Sequence, residues 1–301
     1  MSEHHIVDAH FHLWSLATHP WLTNVIARGK DGHIAGDFGP VAEYDVEKYV
    51  NEACPAGVTK AVHVEAVWPG DPVGETRWLE EISRKNSRGF PHGIVAHCDL
   101  SSPNVEAILL EHSKYPRVKG IRQLLDYHPK RNNLQQAPHD NYLTNPVWQK
   151  GIGLLEKYNF SFDLHVVSYQ MERASEVMRM YPNVQFIVDH NGLPVDRDEE
   201  GIKLWKEGMR LLSQHSNVAV KLSGMAMLDR LWNAESIKPF LLHSIEMFGA
   251  EKCMFASNFP VDKVNADYAT LVGAVKQTIG HLSARDQSCI LATTAERIYK
   301  L

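Results

Sequence analysis

The 301 residues are 44% hydrophobic and 22% charged, the balance of a globular protein with a sizeable core. The net charge of -5 is spread without a basic block or acidic tail, which argues against nucleic acid or an anionic membrane as partner. No run approaches the ~18 apolar residues that span a bilayer, and no signal peptide is expected.

In chain order, eight apolar runs read as strands: Ile6 to His12, Lys60 to Val67, Gly93 to Leu100, Val118 to Leu125, Phe160 to Val167, Val184 to His190, Val218 to Gly224 and Cys253 to Pro260. Most are nearly continuous rather than alternating, as parallel strands covered by helices require. Amphipathic patterns lie between them at Arg77 to Asn86, Val105 to Tyr115, Pro146 to Tyr158, Gln170 to Tyr181 and Leu204 to His215. Ile237 to Phe248, Tyr268 to Ile279 and Arg285 to Tyr299 complete the set. Asn104, Asn145-Pro146 and Ser283 are expected to start helices.

Strands alternating with helices imply the α/β class, and this length suits one closed (β/α)8 TIM barrel spanning residues 1–301. An open doubly wound sheet would more naturally carry a glycine-rich loop after its first strand, where this chain has His10-Phe11-His12. Ser15 to Ala42 and Asp126 to Tyr142 read as long loops elaborating the carboxyl-terminal face. The four cysteines, Cys54, Cys98, Cys253 and Cys289, are widely spaced, which predicts reduced thiols and a cytoplasmic setting.

Residues two apart on a strand share a side, so His10 and His12 converge, as half of a divalent-metal site or as a core hydrogen-bonded pair. His165 and His190 end the fifth and sixth strands, and a barrel brings all such ends to one mouth. Arg122 lies within the fourth strand's apolar run. It is either a clamp for a substrate carboxylate or carbonyl, or one arm of an internal salt bridge to Glu65. Lys221 poses the same question. His97 and Asp99 are candidates for the mouth, with capping of the next helix as the alternative for Asp99, and Trp14, Trp21 and Trp68 either stack on a substrate or pack the loops.

The runs Val7-Asp8-Ala9-His10-Phe11-His12-Leu13-Trp14, Gly120-Ile121-Arg122, Phe162-Asp163-Leu164 and Val188-Asp189-His190-Asn191-Gly192-Leu193-Pro194 stand in an order that resembles the amidohydrolase superfamily. Lys221-Leu222-Ser223-Gly224 and Phe255-Ala256-Ser257-Asn258-Phe259-Pro260-Val261 complete the likeness, which is to the lactonase branch. The resemblance implies metal ligation by His10, His12 and His165, catalysis around His190, and substrate binding by Arg122; Glu65 and Trp14 stand beside it as further substrate-binding candidates. It implies one divalent metal, zinc first, with metal-free operation as the alternative. The fourth strand has no counterpart of the carbamylated lysine of two-metal members. At the eighth strand the family's usual aspartate is replaced by Asn258, an amide that orients water but cannot act as a base. Asp262, four residues on, is the candidate substitute.

The leading expectation is hydrolysis of a lactone of a carboxylated or sugar-derived small molecule, with a homodimer expected for the family. The rivals are non-oxidative decarboxylation and binding of a small acid without turnover.

Overall fold

A computed structural model describes residues 5–301. Eight strands form a parallel sheet in chain order: β1 Ile6–Phe11, β2 Val58–Val64, β3 Gly93–His97, β4 Val118–Leu124, β5 Ser161–His165, β6 Phe186–Val188, β7 Val218–Leu222 and β8 Cys253–Phe255. The segment after β8 returns to β1. Asn258 N donates to His10 O (2.8 Å) and His12 N to Phe259 O (2.7 Å), which draws the sheet into a (β/α)8 barrel. Each expected strand is present, though several are shorter than their apolar runs. Residues such as Ser257 and Asn258 continue inward as loop, with backbone groups still hydrogen-bonded.

The helices follow their apolar spacing, and Pro146–Tyr158 and Tyr268–Ile279 match their expected limits. Asn145 caps the first through Val147 N (2.9 Å), with Pro146 at the first helical position, where its missing N–H costs nothing. Ser283 caps Ala284–Ser288 through Asp286 N (3.1 Å). Asn104 does not cap its helix; its own N–H is instead donated to Ser102 Oγ (3.2 Å). The carboxyl-terminal helical stretch is interrupted by a π-helical segment at Cys289–Thr293. Three α-helices escaped the pattern reading, one of them the single turn Met225–Leu228 after β7. Trp21–Ala27 lies in the first long loop, and Val46–Ala53, capped by Asp45 through Lys48 N, precedes β2. Four to eight residues give too few turns for periodicity to show.

Most buried residues fill the layer between strands and helices, including Trp148, Trp205, Phe162 and Phe186. A second cluster, with Val7, Ala9, Val95, Ile187 and Met254, packs against Tyr299 from the last helix, Thr294–Tyr299. All four cysteines are unpaired. Burial pushes the Cys98 thiol up to about 12, leaving it an inert hydrophobe. No helix among the described residues is long and apolar enough to cross a membrane.

Candidate active site

The barrel gathers its polar residues by register. Arg122 of β4 pairs laterally with His97 of β3 and Asp163 of β5. One layer below the mouth lies a network from which solvent is excluded. Lys221 contacts Asp163, and its Nζ lies 3.0 Å from Asp189 Oδ1 and 3.2 Å from His10 Nδ1. Three acceptors thus surround one ammonium, which has three protons to give. Tyr299 closes the network from beneath, donating to Asp163 (3.1 Å). Lys221 is therefore an internal salt-bridge partner.

Above it, His10 turns Nδ1 toward Lys221 and Asp189 Oδ1 (3.4 Å), and Nε2 toward Nε2 of His12 (3.1 Å). His12 donates from Nδ1 to Val64 O (2.7 Å), leaving its Nε2 as a lone pair. His190 packs against both His10 and His165, with ring centroids at 4.6 and 5.4 Å. Its Nδ1 meets Ser223 Oγ at 2.8 Å. Burial, reinforced by Lys221 for His10 and by Arg122 for His12, holds these imidazoles well below the usual histidine range. His190 is likewise depressed by burial. All three are neutral at physiological pH, the form that accepts a proton or binds a metal.

Arg122 makes the internal bridge that its sequence position offered as one reading. Its Nε donates to Glu65 Oε1 (2.8 Å) and Nη2 to Glu65 O (2.6 Å), the expected internal bridge, while its side chain also lines the cleft. Burial disfavours the charges, but each partner holds the other ionised. Glu65 reaches Arg122 and the Val67 N–H (2.9 Å), so it braces the guanidinium.

The cleft itself is narrow, with a volume of about 70 Å³. His12, His165, His190, Arg122 and Asn258 line it, with Trp14 and Trp21 from the first long loop. Trp14 donates to Val41 O (2.7 Å) and stacks beside His12, so it both packs the loop and forms wall. Asp262 is not on the wall. It is fully buried, accepts from Met227 N (2.7 Å), and receives Asn258 Nδ2 at 3.4 Å. The eighth-strand position therefore presents an amide backed by a carboxyl.

Of the expected metal ligands, His10 and His12 adjoin one another, whereas His165 gives Nδ1 to Asp126 (3.0 Å). The group of three donors drawn within 4.8 Å of one another is His10, Asp189 and His190. These residues fit a metal. Neither oxygen of the buried Asp189 makes a directed hydrogen bond among the described residues. The 3.1 Å gap between the His10 and His12 nitrogens also suits two ligands of one ion whose Zn–N bonds are about 2.0–2.1 Å.

Asp189 and His33 were missed as site residues. In the sequence Asp189 stands only as His190's neighbour, although an acid inside an apolar strand signals a buried charge. His33 lies in an aperiodic loop with no local signal, yet it lines the cleft, and burial lowers it to about 4.

The chain matches the Amidohydrolase family over residues 7–301. It is 35% identical to the uncharacterized protein y4mH of Sinorhizobium fredii, with all of both chains covered. It is 26% identical to an L-fucono-1,5-lactonase of Burkholderia ambifaria over 86% of this chain and 81% of that one. An amidohydrolase of Burkholderia multivorans with bound zinc superposes at a TM-score of 0.79, with 22% identity, over 98% of this chain and 99% of that one.

Proposed function

The chain belongs to the amidohydrolase family, and from that premise we propose that it opens a lactone ring on a sugar-derived or carboxylated small molecule. The observation that carries this reading is the convergence of neutral His12 and His190 with Arg122 on one narrow cleft. Ester hydrolysis needs a cationic contact for the substrate oxygens and a base for water, and the cleft offers both.

Arg122 lines the cleft with a guanidinium whose Nη1, 3.6 Å from Asp189 Oδ2, is not donated to Glu65, and it binds the carbonyl or carboxylate of the substrate. Asn258 orients the attacking water. His190, held by Ser223, takes a proton from that water as the C–O bond forms. The same imidazolium returns the proton to the ring oxygen as the acyl C–O bond breaks, giving a hydroxy acid. His10, His12 and Asp189 would hold a divalent metal, which leaves His190 Nε2 free for the proton. When bound, the metal supplies Lewis-acid polarisation at the carbonyl.

The lactonases among the relatives support the reaction class. The test is acid release at constant pH from a panel of aldonolactones, with product masses followed. Gain of one water identifies ring opening; loss of carbon dioxide would assign the site to decarboxylation instead. His10→Ala is expected to abolish turnover, and full activity in that variant would overturn the arrangement. Elemental analysis of purified wild-type and His10→Ala protein tests the metal: about one zinc per chain, lost on substitution, is expected.

A further inference from the structure

The catalytic cleft, at about 70 Å³, falls well below the ~300–1,000 Å³ of ordinary small-molecule pockets. It does not end at its own walls. A second chamber of about 290 Å³ shares Val67, Leu124 and Gln136 with it and extends over the ends of β3 and β4. The divider is Val67, half-exposed, with a backbone φ of 59°. A β-branched residue is strained there, and such strain persists where surrounding contacts impose it. The contact here is the Val67 N–H bond to Glu65 Oε2, and the other oxygen of Glu65 holds Arg122. One carboxylate thus fixes both the catalytic guanidinium and the partition to the outer chamber.

The outer wall differs in chemistry from the inner one. Its acidic side chains are Glu65, already paired with Arg122, and Asp99, and no lysine or arginine lines it, so no fixed cation is there to pair with an anionic group. Several polar groups remain unspent. Asp99 Oδ1 is taken by Ser101 and Gln123, which leaves Oδ2. The Gln136 amide and the His97 ring make no side-chain hydrogen bond among the described residues, and Tyr142 adds a hydroxyl. Trp68, tilted against Trp78 at 5.5 Å, offers a fixed aromatic face. Mixed donors and acceptors beside an aromatic face suit a neutral, many-hydroxyl ligand.

The hollow on the other side of the mouth offers no such set. Its two arginines are committed to loop closure, Arg230 to Lys30 O (2.8 Å) and Arg131 to Val195 O (3.1 Å) and Asp196 (3.3 Å).

We infer that the outer chamber is a subsite for a neutral polyol or glycosyl extension of the substrate, whose carbonyl end lies in the inner cleft. The inference rests on the proposed ring-opening reaction for its orientation, but its test needs no turnover. Calorimetric titrations of the full chain with gluconate and with lactobionate, which is gluconate carrying a galactosyl group, read the subsite directly. Lactobionate is expected to bind at least tenfold more tightly, and Asp99→Ala and Gln136→Ala are each expected to bring the ratio toward one. Equal affinities, no binding of either acid, or a ratio unchanged in both variants would overturn the subsite. The lactone panel reports separately: ring opening with equal affinities removes the subsite alone, and a tenfold ratio without ring opening removes the reaction alone.

Discussion

Asp8 and Asp189 are both fully buried carboxylates on barrel strands or their ends, yet their surroundings are opposite. Asp8 accepts from neutral donors: Tyr49 and Tyr268 hydroxyls (2.8 Å each), Ser257 N (2.8 Å) and Oγ (2.6 Å), and His10 N (3.1 Å). These bonds tie β1 to two outer helices and to the segment that closes the barrel. Burial raises its pKa and the donors pull it back. Asp189 has cations instead of directed hydrogen bonds. Burial opposes its ionisation, but Lys221 at 3.0 Å holds its carboxyl well below the usual range, and Arg122 Nη1 is a second cation at 3.6 Å. A carboxylate saturated by neutral donors is architecture. One held by charge alone, facing imidazoles, retains lone pairs for chemistry.

The contrast breaks or sharpens under substitution. Asp189→Asn keeps the shape and removes the charge that orders His10 and Lys221. It is expected to lower kcat/KM on an accepted lactone by about 10²–10³-fold, while Asp163 and Glu65 continue to pair Lys221 and Arg122 and keep the barrel folded. Asp8→Asn should do the reverse, costing about 2–4 kcal/mol of stability in denaturant melts with turnover of the folded fraction intact. Equal activity losses in the two variants, measured where both are folded, would erase the distinction.

Asp262 supplies an intermediate case. Burial raises its folded pKa from 3.8 to about 7. Between those values the folded chain keeps a proton that the unfolded chain releases, so stability present below about pH 4 is lost as pH climbs toward 7. Asp262→Asn cannot titrate. Relative to wild type it is expected to gain on the order of 2 kcal/mol between pH 5 and pH 8, and thermal melts at the two values measure it. A gap that does not change with pH would mean that Asp262 is already ionised against Met227 N and Asn258. The smallest effect expected is for Tyr299→Phe, which removes one hydroxyl from Asp163 and should cost about 1 kcal/mol in the same melts.

The barrel was legible from the sequence because each strand announces itself locally. Apolar runs such as Val218 to Gly224 need no partner to be recognised, and His10, His12, His165 and His190 stand at their ends for the same reason. Tertiary structure alone decided how those residues share their bonds. The sequence offered Arg122 as clamp or bridge; the register beside β3 and β5 makes it a bridge to Glu65 that still faces the cleft. Asp262 looked like a substitute for the missing eighth-strand acid, but the turn at Met225–Leu228 claims its oxygen and sets it behind Asn258. His33 and Asp99 come from loops, where no periodicity constrains direction. Local patterns record which face of an element is apolar. Which buried charge meets which, and what volume remains between them, depends on contacts between residues as far apart as Lys221 and His10, and those exist only once the barrel has closed.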